Sequence, residues 1–133
     1  MFLLLGAGNK VYSKLDQSTM KRRQYEPPSA TFFGSLCKLS GRIQVAKWRP
    51  IIAKLPSWCR PSGRLVFDVH ANGKAPGTRS TMRIGVFPNG NLRWLAGARG
   101  TYLSLEPIIF PVRNVPAQVI TLAGGWRNWG TLR

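Results

Sequence analysis

The sequence predicts an all-β protein, a small antiparallel β-sandwich of jelly-roll type preceded by an extended N-terminal arm. Three observations carry this. Apolar residues alternate with polar ones in run after run, the period-two signature of half-buried strands. Turn signals separate the runs every ten residues or so, which marks a sandwich or barrel rather than a helical fold. The composition agrees, with 14 Gly, 10 Pro and 5 Trp in 133 residues, and this length fits one domain with a real core.

The elements follow in order. Residues 1–30 read as a basic arm: an apolar start, the cluster Lys21-Arg22-Arg23, and the breaker Glu26-Pro27-Pro28. The start, Met1 to Gly8, has no basic n-region and ends at Lys10. It is therefore expected to be neither a signal peptide nor a membrane span, but a strand that packs on something. From Thr31 the sandwich begins, over residues 31–113. Cys37, Leu39, Gly41, Ile43 and Val45 alternate with Lys38, Ser40, Arg42 and Gln44 as one strand. The run Ile51 to Leu55 comes next, followed by the Pro-bounded loop Pro56 to Pro61.

Leu65, Phe67, Val69 and Ala71 then share one face, and Asn72-Gly73 and Pro76-Gly77 are turn signals. Met82, Ile84 and Val86 lead through Pro88-Asn89-Gly90 to Leu92, Trp94 and Ala96. Asn-Gly between alternating runs is a strong hairpin signal. Tyr102 to Leu105, then Ile108, Phe110 and Val112, continue the series. Residues 114–133 are expected to hold a closing strand, Val119 to Leu122, and a Trp-rich tail.

Charge narrows the function. Twenty Lys and Arg against four Asp and Glu give +16 at pH 7, and there is a single His. So few acids and imidazoles leave little for acid–base or metal chemistry, and neither an enzyme nor a cofactor is expected. Asp68 and His70 share a polar strand face, but no nucleophile motif accompanies them. A charge this high implies an anionic partner: nucleic acid, an acidic protein surface or an anionic glycan. Thirteen Arg against seven Lys favour planar, hydrogen-bonded contacts. Two cysteines make no disulfide scaffold and no zinc spacing is present; Cys37 and Cys59 are expected to be free thiols, because disulfides are rare outside oxidising compartments.

The ordered motifs resemble a family. Gly34-Ser35-Leu36-Cys37-Lys38-Leu39-Ser40-Gly41 is similar to the strand opening the small β-sandwich of bacteriophage tail-fibre tips and related virion proteins. The resemblance continues through Leu55-Pro56-Ser57-Trp58-Cys59-Arg60-Pro61, Leu65 to Val69, the Asn89-Gly90 hairpin, Tyr102-Leu103-Ser104-Leu105 and Ile108 to Val112. Pro107 departs from it, as does the heavy positive charge. The segment Leu122 to Gly130 matches a turn with which that repeat begins. Residues 5–12 echo it, with Leu5 on Leu122, Gly8 on Gly125 and Tyr12 on Trp129.

The resemblance implies a non-enzymatic virion protein, trimeric in the manner of the family's tips. With no shaft in the sequence, the expected role is a small accessory subunit that decorates or cements the capsid or tail. Lys21, Arg22 and Arg23 would dock on the particle, and Phe2, Leu3, Leu4, Leu5, Trp126 and Trp129 would form an oligomer or partner edge. The alternatives are a host-adhesion tip that recognises anionic glycans, and a basic nucleic-acid-binding protein. Trp–Arg neighbours (Trp48-Arg49, Arg93-Trp94, Trp126-Arg127) mix cations with aromatic faces, as do the candidate recognition residues Trp58 and Arg60. Arg99 completes that candidate set.

Overall fold

The computed structural model describes residues 4–5, 9–11, 27–45, 48–72, 79–97 and 102–129. The described residues form eleven strands and no helix, all paired antiparallel. They are β1 (Leu4–Leu5), β2 (Asn9–Val11), β3 (Ser29–Phe33), β4 (Leu36–Ser40), β5 (Arg42–Val45), β6 (Ile51–Lys54), β7 (Leu65–Asn72), β8 (Arg79–Val86), β9 (Asn91–Gly97), β10 (Tyr102–Ser104) and β11 (Ile109–Pro111). One sheet has eight strands in the order β1-β6-β9-β8-β7-β10-β5-β2, the other three in the order β11-β4-β3. The all-β, two-sheet architecture is the one the sequence predicts.

The large sheet is curled into a half-barrel, and its topology requires this. A flat sheet of eight strands would hold its outer strands about 34 Å apart at the usual inter-strand spacing. Yet β1 and β2 are those outer strands, and the chain from Leu5 to Asn9 can span only about 14 Å when fully extended. The edges must therefore approach each other. Part of the expected arm thus belongs to the sheet: Leu5 pairs with Ala53, and Lys10 with Gln44. Phe2 and Leu3 lie outside the described residues, as do Lys21, Arg22, Arg23 and Arg99, and the Gly73 and Pro76-Gly77 turn signals.

The run from Cys37 to Val45 is two strands in two sheets, not one. Gly41 adopts φ 98°, a conformation that costs a side-chain-bearing residue dearly, and the chain bends there from the small sheet into the large one. The return from β10 to β11 bends beside it, at Glu106-Pro107. Leu105 N donates to Gly41 O (2.9 Å), and Gly41 N donates to Glu106 Oε1 (3.0 Å). Lys38 Nζ donates to Glu106 O (2.7 Å). Pro107 is accommodated in this exposed turn.

The core lies between the sheets. Cys37, Leu39 and Phe110 from the small sheet meet Ile43, Val69, Met82, Ile84, Val86, Leu92 and Leu103 from the large one, all buried. The face predicted for β7 is correct, with Val69 and Ala71 buried and Leu65 and Phe67 packed at its margin. The β8–β9 hairpin also forms. Gly90 N donates to Phe87 O (2.8 Å) and Phe87 N to Asn91 O (3.0 Å). This makes a three-residue loop, Pro88-Asn89-Gly90, with Gly90 at φ 93° as the left-handed closing residue.

Two further expectations are corrected. Cys37 and Cys59 are not free: they form a fully buried disulfide, Cα–Cα 5.5 Å, between β4 and the loop after β6. The expectation rested on the count of cysteines and on the rarity of disulfides outside oxidising compartments, whereas the fold packs these distant positions against each other. Val119 to Leu122 form no strand, and the stretch is exposed. Alternation without a neighbouring strand supplies no ladder, because strand hydrogen bonds are made between chains of the sheet. Among the described residues no helix is long and apolar enough to cross a membrane.

Candidate functional site

The outer face of the β8–β9 hairpin carries an aromatic and cationic cleft. Its foundation is Gly85. A Cβ at that position would lie 2.8 Å from Phe87 Cε1 and 3.0 Å from Leu95 Cδ1, so the absent side chain makes the seat in which both rest. Leu95 reaches the seat because it is the extra residue of a bulge: Arg83 pairs with Ala96 and Ile84 with Trp94. Bulges re-aim side chains in this way. A second irregularity falls between Ile51 and Ala53, on the other side of β9.

Two guanidinium groups gather over the Phe87 ring. Arg64 Cζ stands 4.4 Å from its centroid and Arg93 Cζ 6.0 Å, within the range in which a cation is attracted to a ring face. Beside them Trp48 and Trp94 meet edge to face, centroids 5.2 Å apart at 83°. The hydrogen bond from Trp94 N to Pro50 O (2.8 Å) ties β9 to the segment carrying Trp48. The cleft encloses about 410 Å³ and is lined by Trp48, Pro50, Arg64, Phe87, Arg93, Trp94 and Leu95. No carboxylate is among these residues. Of the described acids, Asp68 is paired with Arg83 (3.3 Å) and Glu106 is engaged at Gly41.

A second cleft of about 330 Å³ is lined by Phe32, Ser57, Trp58, Arg60, Val112, Arg113 and Asn114. Phe32 and Trp58 meet edge to face at 6.2 Å. Its loop is fixed at several points. Cys59 is in the disulfide, and its N donates to Pro56 O (2.9 Å). Arg113 N donates to Arg60 O (2.9 Å), and Arg113 Nη2 donates to Pro88 O.

Of the residues singled out in the sequence, Trp58 lines this second cleft. Arg60 lines it too, with Nε and Nη2 donating to Leu55 O (3.2 and 3.0 Å). Trp48, Arg93 and Trp94 meet in the first cleft. Arg64 and Phe87 were missed, and only the Gly85-x-Phe87 spacing hints that a ring lies over a glycine on one strand face. Asp68 and His70 do not combine: Asp68 pairs with Arg83, and His70 lies against Tyr102 at 6.2 Å. Trp126 and Trp129 are 77% and 100% exposed. Leu4 and Leu5 form the edge strand β1. Comparison with protein-family models, curated proteins and solved structures finds no match to this chain.

Proposed function

We propose that the chain is a non-enzymatic surface-recognition subunit of a bacteriophage particle that binds an anionic envelope glycan in the Phe87 cleft. One observation carries this reading: Arg64 and Arg93 converge on Phe87 beside the Trp48–Trp94 pair, in a cleft with no lining carboxylate. Aromatic faces suit the apolar C–H faces of sugars, and guanidinium groups take carboxylate or phosphate in paired hydrogen bonds. The resemblance of residues 31–112 to tail-fibre tips supports the particle setting and the trimer.

Binding of the purified protein to an acidic oligosaccharide of bacterial lipopolysaccharide, against a neutral one of equal length, tests it. The double variant Arg64→Gln, Arg93→Gln should bind the acidic ligand at least tenfold more weakly, and Trp94→Ala should weaken both ligands. Equal affinity of wild type for the two ligands would sink the proposal. Steep salt-dependent binding to duplex DNA in preference to either glycan would move the reading to nucleic acid.

A second reading has one observation in its favour. A net charge of +16 far exceeds what two guanidinium groups in a cleft need. An accessory subunit held on an acidic capsid or tail surface would use that excess, with Lys21, Arg22 and Arg23 as the docking cluster. The triple change to Gln should then reduce incorporation into particles while leaving glycan binding intact.

A further inference from the structure

The two clefts differ in what their side chains can accept. Every polar side chain lining the Phe87 cleft is an Arg or a Trp, and these donate hydrogen bonds without accepting them. The second cleft adds Ser57 and Asn114, whose hydroxyl and amide both donate and accept. Both residues are exposed. A sugar hydroxyl is itself a donor and an acceptor. Of the two linings, the second alone has side chains that complement it in both senses.

The aromatic pair of this cleft is held by the disulfide. Phe32 is paired with Cys37 across β3 and β4, and Trp58 immediately precedes Cys59 in the loop after β6. The Cys37–Cys59 bond thus secures both sides of the Phe32–Trp58 contact. The polar groups are secured as well. Val112 N donates to Ser35 O (3.0 Å) and Arg113 N to Arg60 O (2.9 Å), which anchors the chain just before Asn114. Asn114 then takes φ 71°, alone among the described non-glycine residues in having a positive φ. Few residues with a side chain adopt that conformation, and Asn is one of them. The guanidinium groups in the lining are partly committed to the fold, Arg60 to Leu55 O and Arg113 to Pro88 O. A site fixed at so many points loses little freedom when it is filled.

We infer that the second cleft is a separate subsite for a neutral hexose residue. The C–H face of the sugar rests on Trp58, and its hydroxyl groups exchange hydrogen bonds with the Asn114 amide and the Ser57 hydroxyl. The volume, about 330 Å³, is in the range of small-ligand sites. The inference rests on the reading of the chain as a glycan binder, but it uses none of the residues of the Phe87 cleft. A glycan of mixed composition is then read by charge at one cleft and by hydroxyl pattern at the other.

Neutral trisaccharides of glucose, galactose and mannose, titrated into the isotope-labelled full chain, test this by the nuclear magnetic resonance signals of the Trp58 indole and the Asn114 amide. At least one sugar is expected to shift both signals. Asn114→Gly keeps the left-handed backbone and removes the amide, so it should lower that affinity about tenfold while the urea midpoint holds or rises. Ser57→Ala, at an exposed position, should lower it several-fold. The double variant Arg64→Gln, Arg93→Gln should bind the neutral sugar as wild type does. Failure of the acidic ligand at the Trp48 and Trp94 signals would count against the Phe87 cleft alone. The inference is overturned if none of the sugars shifts Trp58, or if Asn114→Gly and Ser57→Ala both bind like wild type. It is equally overturned if the acidic oligosaccharide occupies the Trp58 cleft more tightly than every neutral one.

Discussion

At Gly90 three parts of the chain converge. A Cβ there would stand 2.6 Å from Arg60 Nε and 2.9 Å from Leu55 O, and the residue's φ is 93°. Gly90 O meanwhile accepts from Leu55 N (2.7 Å). Replacement by Ala meets a backbone oxygen that cannot move and a dihedral that L-residues avoid. Gly90→Ala should cost about 2–3 kcal/mol of stability, read from urea denaturation. Gly63 has nothing within 4 Å of its would-be Cβ and no positive φ, so Gly63→Ala should stay within about 0.5–1 kcal/mol of wild type. Gly85→Ala belongs to a third class. Its nearest obstacle is the edge of the Phe87 ring at 2.8 Å, a side chain able to swing away. The expected result is a modest loss of stability with a large loss of glycan affinity, because Phe87 leaves the position over which Arg64 and Arg93 gather. Titration calorimetry beside denaturation separates the two effects.

At the level of elements, the disulfide joins β4 of the small sheet to the loop that follows β6 of the large one. Cys37 and Cys59 are separated by 22 residues, and in the chain-entropy description a loop of that size contributes about 3 kcal/mol. The double variant Cys37→Ala, Cys59→Ala should lose that amount in urea denaturation and become insensitive to reductant, whereas the wild type should fall towards it when reduced. This bond also marks where sequence reading stops. Alternation located the strands because burial on one face imposes a period of two, and it placed Val69, Ala71, Met82 and Ile84 on the correct side. It passed unbroken through Gly41, because the core lies between the sheets and the buried face stays inward on either side of the bend. It also could not show which runs become neighbours. The meeting of Cys37 with Cys59, and of Arg64 with Phe87, depends on register and packing between segments remote in sequence. Adjacent Trp–Arg pairs were legible for the opposite reason, since they need no fold to be seen. Val119 to Leu122 had the pattern of a strand and lacked a neighbour.

On the scale of the molecule, charge divides the two associations by sign. Binding of an acidic glycan at Arg64 and Arg93 gains from attraction and should weaken several-fold between low and physiological salt. Joining of like-charged copies into a trimer is opposed by repulsion and should strengthen over the same interval. Sedimentation velocity and ligand titration at a series of sodium chloride concentrations would show opposite slopes. Parallel slopes would mean that one of the two contacts has been assigned the wrong chemistry.

The pairing of residues 4–11 with β6 and β5 has a consequence for how the chain is made. Residues 4–11 leave the ribosome before their pairing partners, which end at Val45 and Lys54. At about 5–20 residues per second, the opening apolar segment spends seconds without the strands it belongs to. Strands β7, β8 and β9 are sequential neighbours in the sheet and can pair as soon as they emerge, since local contacts form fastest. Pulsed hydrogen exchange during refolding should therefore protect Val69 and Ile84 before Ala53.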